Sequence, residues 1–454
     1  MKDMTSGNPL KIIIFFTIPI LLGNVFQQFY NMADAIIVGR FIGEDALAAV
    51  GSTGSIMFLV LGFNIGFAQG FGIKISHAYG AKDDALLKHY VSVSIILGLI
   101  ISFIMTALTV SCSKQLLLFM KTPDNILTMA NDYIIVIYAG MTATMFFNVF
   151  SSILRAVGDS KTPLYFLIVS SILNIALDLF FIIILHMGPE GAAYATVVSQ
   201  GVSALLCCFY MFRKFDILKI SKKDFYLDSC SVRQLLSIGV PMAVNYSITA
   251  IGVMVLQSAV NVFGSTVVAA YTAASKVDQL ATQTMPALAT TMSTYCGQNL
   301  GAGKYDRIYS GMNKGLILGF FCAGFAAFIC VVFGNYMVGW FLSNPTESML
   351  SYTTQYLHTI SCYYAFLSLV FLYRHSLQGL GLGLVPMMSG ILELIGRSSI
   401  VLLLLKPWGF TAVTLSSPFA WVVAGIPLLL VYYSWVKKMK KQLPLEASQP
   451  KELP

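Results

Sequence analysis

The sequence predicts an all-α membrane protein: twelve transmembrane helices in two six-helix bundles related by a pseudo-twofold axis along the membrane normal. Three observations predict it. Of 454 residues, 57% are hydrophobic and only 11% charged, too few polar side chains to cover a soluble globule of this size. Apolar windows of about 20 residues or more recur along the whole length, and each can cross a hydrocarbon core about 30 Å thick. The third observation is an internal repeat. Phe41-Ile42-Gly43 with Ala46-Leu47-Ala48-Ala49 returns as Val262-Phe263-Gly264 with Val267-Val268-Ala269-Ala270, and Gly80-Ala81-Lys82 returns as Gly301-Ala302-Gly303-Lys304. Gly43 to Gly264 and Gly80 to Gly301 are both 221 residues apart; Leu154-Arg155-Ala156-Val157-Gly158 with Pro163 returns at 223 as Leu377-Gln378-Gly379-Leu380-Gly381 with Pro386. So small a drift marks a duplication.

The windows place spans at 12–38, 46–76, 90–112, 128–154, 163–186 and 190–212, then at 235–262, 267–296, 312–342, 352–378, 384–406 and 408–436. The first is too long for a signal peptide and lacks a small-residue cleavage site, so it reads as a retained span. Pro19, Pro241 and Pro286 lie inside spans and predict bends rather than breaks. The resulting division is a first lobe at 1–212, a basic linker at 213–233, a second lobe at 234–436 and a basic tail at 437–454.

Charge placement sets the orientation. With the N-terminus in the cytoplasm, the inner segments hold Lys82, Lys88, Arg155, Lys161, Arg213, Lys214, Lys219, Lys222, Lys223, Arg233, Lys304, Arg307 and Lys314. The tail adds Lys437, Lys438, Lys440, Lys441 and Lys451, whereas the outer loops hold only Arg40, Lys114, Lys121 and Lys406. That bias puts both termini on the cytoplasmic side of a membrane and makes the net charge of +8 a matter of topology, not of nucleic-acid binding. Six spans per half make both copies enter from the same side, which is why the axis runs along the membrane normal. Eight cysteines are scattered without a C-x-x-C pair or a histidine at ligand spacing, and read as small apolar residues.

The informative residues are those that do not belong in lipid, where an ionised side chain costs about 2.5–3.5 kcal/mol on insertion scales. Asp34 falls in the first span and Asp178 in the fifth; Asn174 stands four residues before Asp178 and shares its helix face. Asn148 in the fourth span and Thr196 in the sixth add oxygen ligands. Two carboxylates with neutral oxygens in a dry bundle make a proton site or a hard-cation site. Brought close together, the two acids resist joint ionisation, so one is expected to hold a proton near neutral pH. The alternative is that each merely caps or hydrogen-bonds within its bundle, or that Asp34 is wet at the outer interface. The repeat places Leu256 opposite Asp34, Val401 opposite Asp178 and Arg397 opposite Asn174, so the acidic pair belongs to one copy alone. The second half carries Glu393 and Arg397, four apart in the eleventh span, Lys276 and Asp278 in the eighth, and Arg374 and His375 in the tenth. Glu393, Arg397, Lys276 and Gln257 are candidates for a substrate or gating role, against plain mutual neutralisation.

Taken in order, several stretches resemble the multidrug and toxic compound extrusion (MATE) transporters of prokaryotic type. They are Pro19 with Gln27-Gln28-Phe29-Tyr30-Asn31-Met32-Ala33-Asp34 and Val38-Gly39-Arg40, then Ala46-Leu47-Ala48-Ala49-Val50-Gly51, Gln69-Gly70 and Gly80-Ala81-Lys82. Leu154-Arg155-Ala156-Val157-Gly158-Asp159 with Lys161-Thr162-Pro163, Gly191-Ala192-Ala193-Tyr194-Ala195-Thr196, Ala273-Ala274-Ser275-Lys276 and Gly297-Gln298-Asn299-Leu300-Gly301-Ala302-Gly303 complete the series. The resemblance covers nearly the whole chain. It implies a two-lobe, V-shaped exporter driven by inward proton or sodium flow, with no cofactor besides that ion. An enzyme has no support in the residues, which show no His/Asp/Glu cluster at metal spacing, Gly-x-Ser-x-Gly elbow or P-loop. The resemblance also implies that the cation site of the first lobe falls on Asp34, Asn174, Asp178, Asn148 and Thr196, with Asp34, Asp178 and Asn174 as the Na⁺ ligands, and that Pro19 is a hinge. One family branch places acids on the seventh and tenth helices; this chain has Gln257 on the seventh and no carboxylate on the tenth.

The expected activity is therefore antiport of H⁺ or Na⁺ against cationic or amphipathic organic compounds by a rocker-switch, in the lipid bilayer and as a monomer by default. A lipid-linked precursor or polysaccharide flippase of the same superfamily is the nearer competitor, disfavoured by the paired aspartates and the span count. An ion channel is the competitor of another class.

Overall fold

The computed structural model describes residues 3–120, 122–342 and 346–446, with side chains to 439 in the last helix. Lys121 and Lys451 of the charge reading lie outside these residues, as do the side chains of Lys440 and Lys441. Every extended element among the described residues is helical. The chain runs α1 (Pro9–Phe41), α2 (Glu44–Ala81), α3 (Asp84–Phe119), α4 (Asp124–Ala139), α5 (Met141–Ala156), α6 (Lys161–Leu179) and α7 (Pro189–Lys214). It continues with α8 (Ser229–Asn261), α9 (Ser265–Thr282), α10 (Thr284–Gly301), α11 (Tyr305–Val338), α12 (Glu347–Ser361), α13 (Tyr364–Gly379), α14 (Leu384–Trp408) and α15 (Phe410–Glu446).

Nine of these helices are long and apolar enough to cross a bilayer singly, and two bent pairs, α4–α5 at 47° and α12–α13 at 51°, bring the count to eleven. The remaining expected span, 267–296, coincides with α9 and α10, which carry Lys276 and Asp278 and are interrupted at Gln283. Pro286 is the reason for that interruption: it sits in the first turn of α10, where no intrahelical N–H is required, and cannot extend the preceding helix. That break departs from the expected bend at Pro286, whereas Pro19 and Pro241 leave α1 and α8 unbroken. The outward skin is apolar, with Phe119 84% exposed and Leu402 and Leu403 79% and 74% exposed. Side chains of this kind so far exposed need acyl chains rather than water as neighbours.

Helix starts are set by local chemistry. Asp83 accepts the backbone N–H of Leu86 and caps α3. Asp159 accepts from the backbone N–H groups of Lys161 and Thr162 and from the Thr162 hydroxyl at the head of α6. Asp228 does the same for α8: the backbone N–H of Ser231, then His89 and the Ser231 hydroxyl, hold its carboxyl well below the usual carboxylate range.

The described chain forms two compact units. One contains Ile14–Ile251 with residues 3–4, and the other contains Thr5–Ile13 with the chain from Gly252 onward. The cut thus falls inside α8, downstream of the 213–233 segment. A row of glycines on α2 explains why most of α8 joins the first unit. A Cβ on Gly66 would sit 2.4 Å from Ala243 Cα, one on Gly70 2.5 Å from Gly239 Cα, and one on Gly62 3.3 Å from Tyr246 Cβ. Spaced by four, the three glycines clear one helix face and let two backbones touch, the small-residue packing that lipid favours. Gln69 donates to the Tyr246 hydroxyl beside that seam at 2.9 Å. In the other unit, residues 5–13 are held by Lys304, which donates to the Thr5 carbonyl at 2.8 Å, and Arg307, which donates to the Gly7 carbonyl at 2.8 Å.

Candidate cation-binding site

Two helices each bring a pair of polar residues one turn apart to the middle of the first unit. On α1 these are Tyr30 and Asp34; on α6 they are Asn174 and Asp178. Helix α6 packs along α7, which carries Thr196, and α7 is gripped by α4–α5 where the bend leaves room. That bend falls at Gly140, whose missing Cβ would lie 2.2 Å from a Val197 methyl. Only glycine permits so close an approach. Ile37 and Val38 of α1 enter the same apolar cluster as Ala49, Ile126, Tyr133 and Ile182, which fixes the end of α1 that carries Asp34. Immediately after Asp178 the chain opens into a π-helical turn, Phe180–Ile184, closed by the Leu185 N–H on the Phe180 carbonyl. Such wide turns recur at functional sites.

The carboxyl groups are buried: Asp34 is 8% exposed, and Asp178 and Asn174 are fully buried. The side chains of Asp34 and Asp178 lie close enough to interact electrostatically. Among the described residues, none donates a hydrogen bond to either oxygen of Asp178, to Oδ1 of Asp34 or to Oδ1 of Asn174. A bond between two carboxyls exists only when one of them carries a proton. The cluster is therefore four oxygens with nothing donated to them, a cradle for a proton or a hard monovalent cation.

Thr196 organises the rim. Tyr30 donates to its hydroxyl oxygen at 2.9 Å and Asn174 Nδ2 donates to the same oxygen at 3.4 Å. With both lone pairs taken, the Thr196 hydrogen is free to donate elsewhere. Tyr133, 4% exposed, lies in electrostatic range of Asp34, Asp178 and Tyr30. Four of the five residues expected from the sequence are thus brought together. The fifth, Asn148, is half-buried on α5 and its amide donates to the Thr144 carbonyl one turn back; among the described residues no hydrogen bond joins it to the other four. Pro19 is buried on α1, about four turns before Asp34. Tyr30 and Tyr133 carried no assigned role in the sequence reading. Tyr30 had a signal, since it precedes Asp34 by one helical turn; Tyr133 had none.

The second unit holds a different arrangement. Glu393 is shared by Arg374, at 2.7 Å, and Arg397, at 3.1 Å, with all three side chains about nine-tenths buried. The pairing of Glu393 with Arg397 on α14 follows their spacing, and Arg374 joins from α13. The other two candidates stand apart. Gln257 donates to Asn261 one turn on in its own helix, and Lys276 is exposed. Among the described residues no ion pair links Lys276 to Asp278, which instead accepts a 2.6 Å hydrogen bond from Tyr364.

These helices and the buried acid cluster define a multi-pass membrane protein with a candidate ion site in one unit, and the comparisons with known proteins give its class. The sequence model of the MatE family matches residues 19–180 and 241–400, one match in each half of the repeat. The chain belongs to the MATE family of multidrug efflux transporters. It is 30% identical to the Bacillus subtilis "Probable multidrug resistance protein YpnP" over 84% of each chain. It is 24% identical to the Thermotoga maritima "Probable multidrug resistance protein NorM" over 83% of this chain and 81% of that one. Its fold matches a crystal structure of MATE in complex with MaL6 at a TM-score of 0.88 and 24% identity, covering 97% of this chain and 99% of that one. A MOP superfamily transporter from Pyrococcus furiosus matches at 0.90 and 24%, covering 96% and 98%.

Proposed function

We propose that this protein is a secondary active multidrug exporter that exchanges H⁺ or Na⁺ for cationic or amphipathic organic compounds by alternating access. One observation carries the coupling: the neighbouring carboxyls of Asp34 and Asp178, with Asn174 Oδ1, have acceptor atoms that no donor among the described residues satisfies. A proton or Na⁺ arriving from outside fills that want without breaking an existing bond to those oxygens. Neutralising the pair changes how α1 packs towards Pro19 and lowers affinity for an organic cation, while the two repeats rock to expose the site to the other side. Asp34, Asp178 and Asn174 are the ion ligands in this reading. Thr196 and Asn148 support them, and Glu393, Arg397, Lys276 and Gln257 are left to substrate passage or gating. The protein works as a monomer in the bacterial plasma membrane with both termini cytoplasmic.

The experiment is transport of the fluorescent cations ethidium and rhodamine 6G in proteoliposomes, with pH and Na⁺ gradients imposed separately. Wild type exports under one gradient; Asp34→Asn and Asp178→Asn, expressed at the same level, export under neither. Undiminished export by both variants would overturn the assignment.

A further inference from the structure

We propose that Asp278, Tyr364 and Cys330 form a proton-binding site in the second unit, a hydrogen-bonded chain whose direction reverses when the carboxylate takes up a proton. The chain is assembled from three helices. Asp278 on α9 accepts from the hydroxyl of Tyr364 at the head of α13, at 2.6 Å, and the same hydroxyl oxygen lies 3.3 Å from Cys330 Sγ on α11. Tyr364 has a single O–H and spends it on Asp278, so Cys330 must donate its S–H to the Tyr364 oxygen. With a proton on Asp278 every role can invert: the carboxyl O–H donates to Tyr364, and Tyr364 donates to Cys330 Sγ. Both charge states then keep their hydrogen bonds, which is what a site that exchanges protons requires in a low dielectric.

The other acid of this region cannot do the same. Glu393 has one oxygen held by Arg374 and the other by Arg397, so a proton there would have to break a charge pair. Asp278 pairs with no lysine or arginine within 4 Å among the described residues, and its surroundings are phenolic. Tyr271 from its own helix and Tyr356 from α12 pack edge to face at 5.2 Å, each in electrostatic range of both Asp278 and Arg397. Those groups, with Tyr364, Cys330 and the exposed Lys276, are the titratable neighbours. With Asp278 ionised, the two guanidiniums, Glu393 and Asp278 sum to no net charge; with a proton bound they leave one positive charge in the bundle. Tyr364 is fully buried and Cys330 1% exposed, whereas Asp278 keeps partial exposure, so the proton enters at Asp278 and the relay behind it stays dry.

Proton binding stands on this geometry; only its use in transport rests on the exporter reading. The test is infrared difference spectroscopy of the purified full chain between acid and alkaline buffer. Wild type should show a carboxylic-acid C=O band that Asp278→Asn removes and that Asp34→Asn/Asp178→Asn leaves in place. Tyr364→Phe should shift that band without deleting it, and it serves as the second variant if Asp278→Asn does not fold. A difference spectrum unchanged by Asp278→Asn, or a band unmoved by Tyr364→Phe, overturns the proposal. If instead the Asp34→Asn/Asp178→Asn variant loses no band of its own and exports undiminished, the coupling reading for the first unit fails while the Asp278 site stands.

Discussion

The two units hold their buried charges in opposite ways. In the first, among the described residues, Asp34 and Asp178 neighbour each other with no ion-pair partner and three of their oxygens without a donor. In the second, one carboxylate, Glu393, is clasped by two guanidiniums and has no oxygen to spare. The first arrangement gains by acquiring a positive charge; the second loses by any change. The repeat gave the two halves of the chain matching stretches, and at one matched position Arg397 stands where the first copy has Asn174. A buried charge is thus a poor guide to function until its partners are counted.

That contrast can be broken by mutation. Glu393→Gln leaves Arg374 and Arg397 buried against each other, and should cost about 3–5 kcal/mol, seen as a lower unfolding temperature in detergent. Asp178→Asn removes an unpaired charge and should unfold at or above the wild-type temperature while losing coupled export. If the two variants behaved alike, the contrast would be void. A smaller effect is expected from Thr196→Val, which strips the acceptor from both Tyr30 and Asn174 and should cost about 1–3 kcal/mol, with weaker ion binding by isothermal titration. Tyr30→Phe removes one donor at the same oxygen and should cost about 1 kcal/mol. Asn148→Ala should be the mildest, within about 0.5 kcal/mol, because its amide is spent on its own helix. An Asn148→Ala variant as uncoupled as Asp178→Asn would draw the fifth residue back into the cluster.

Much of this was legible before any coordinates. Spans and duplication follow from apolar length and repeated words, and Asp34 and Asp178 stand out because an acid in an apolar window is rare. What the sequence hid was hidden for physical reasons. Tyr133 is an aromatic residue in an apolar helix and carries no mark of its neighbours. The bend at Gly140 depends on how closely Val197 approaches, a tertiary fact. Lys276 and Asp278 look like a pair in one dimension, but two residues apart on a helix they face different ways. The glycines at 62, 66 and 70 were readable as a packing face, but that α8 is the helix seated on it is a tertiary fact.

The crowded oxygen of Thr196 has a consequence for which ion is preferred. A proton needs one lone pair on a carboxylate and disturbs nothing at the threonine. A sodium ion that recruits Thr196 must first dislodge either the phenol of Tyr30 or the amide of Asn174, since both now occupy the oxygen it would bind. In the exchange proposed above, discrimination between the two ions would be set at that one hydroxyl, and Tyr30→Phe should tilt the preference towards sodium.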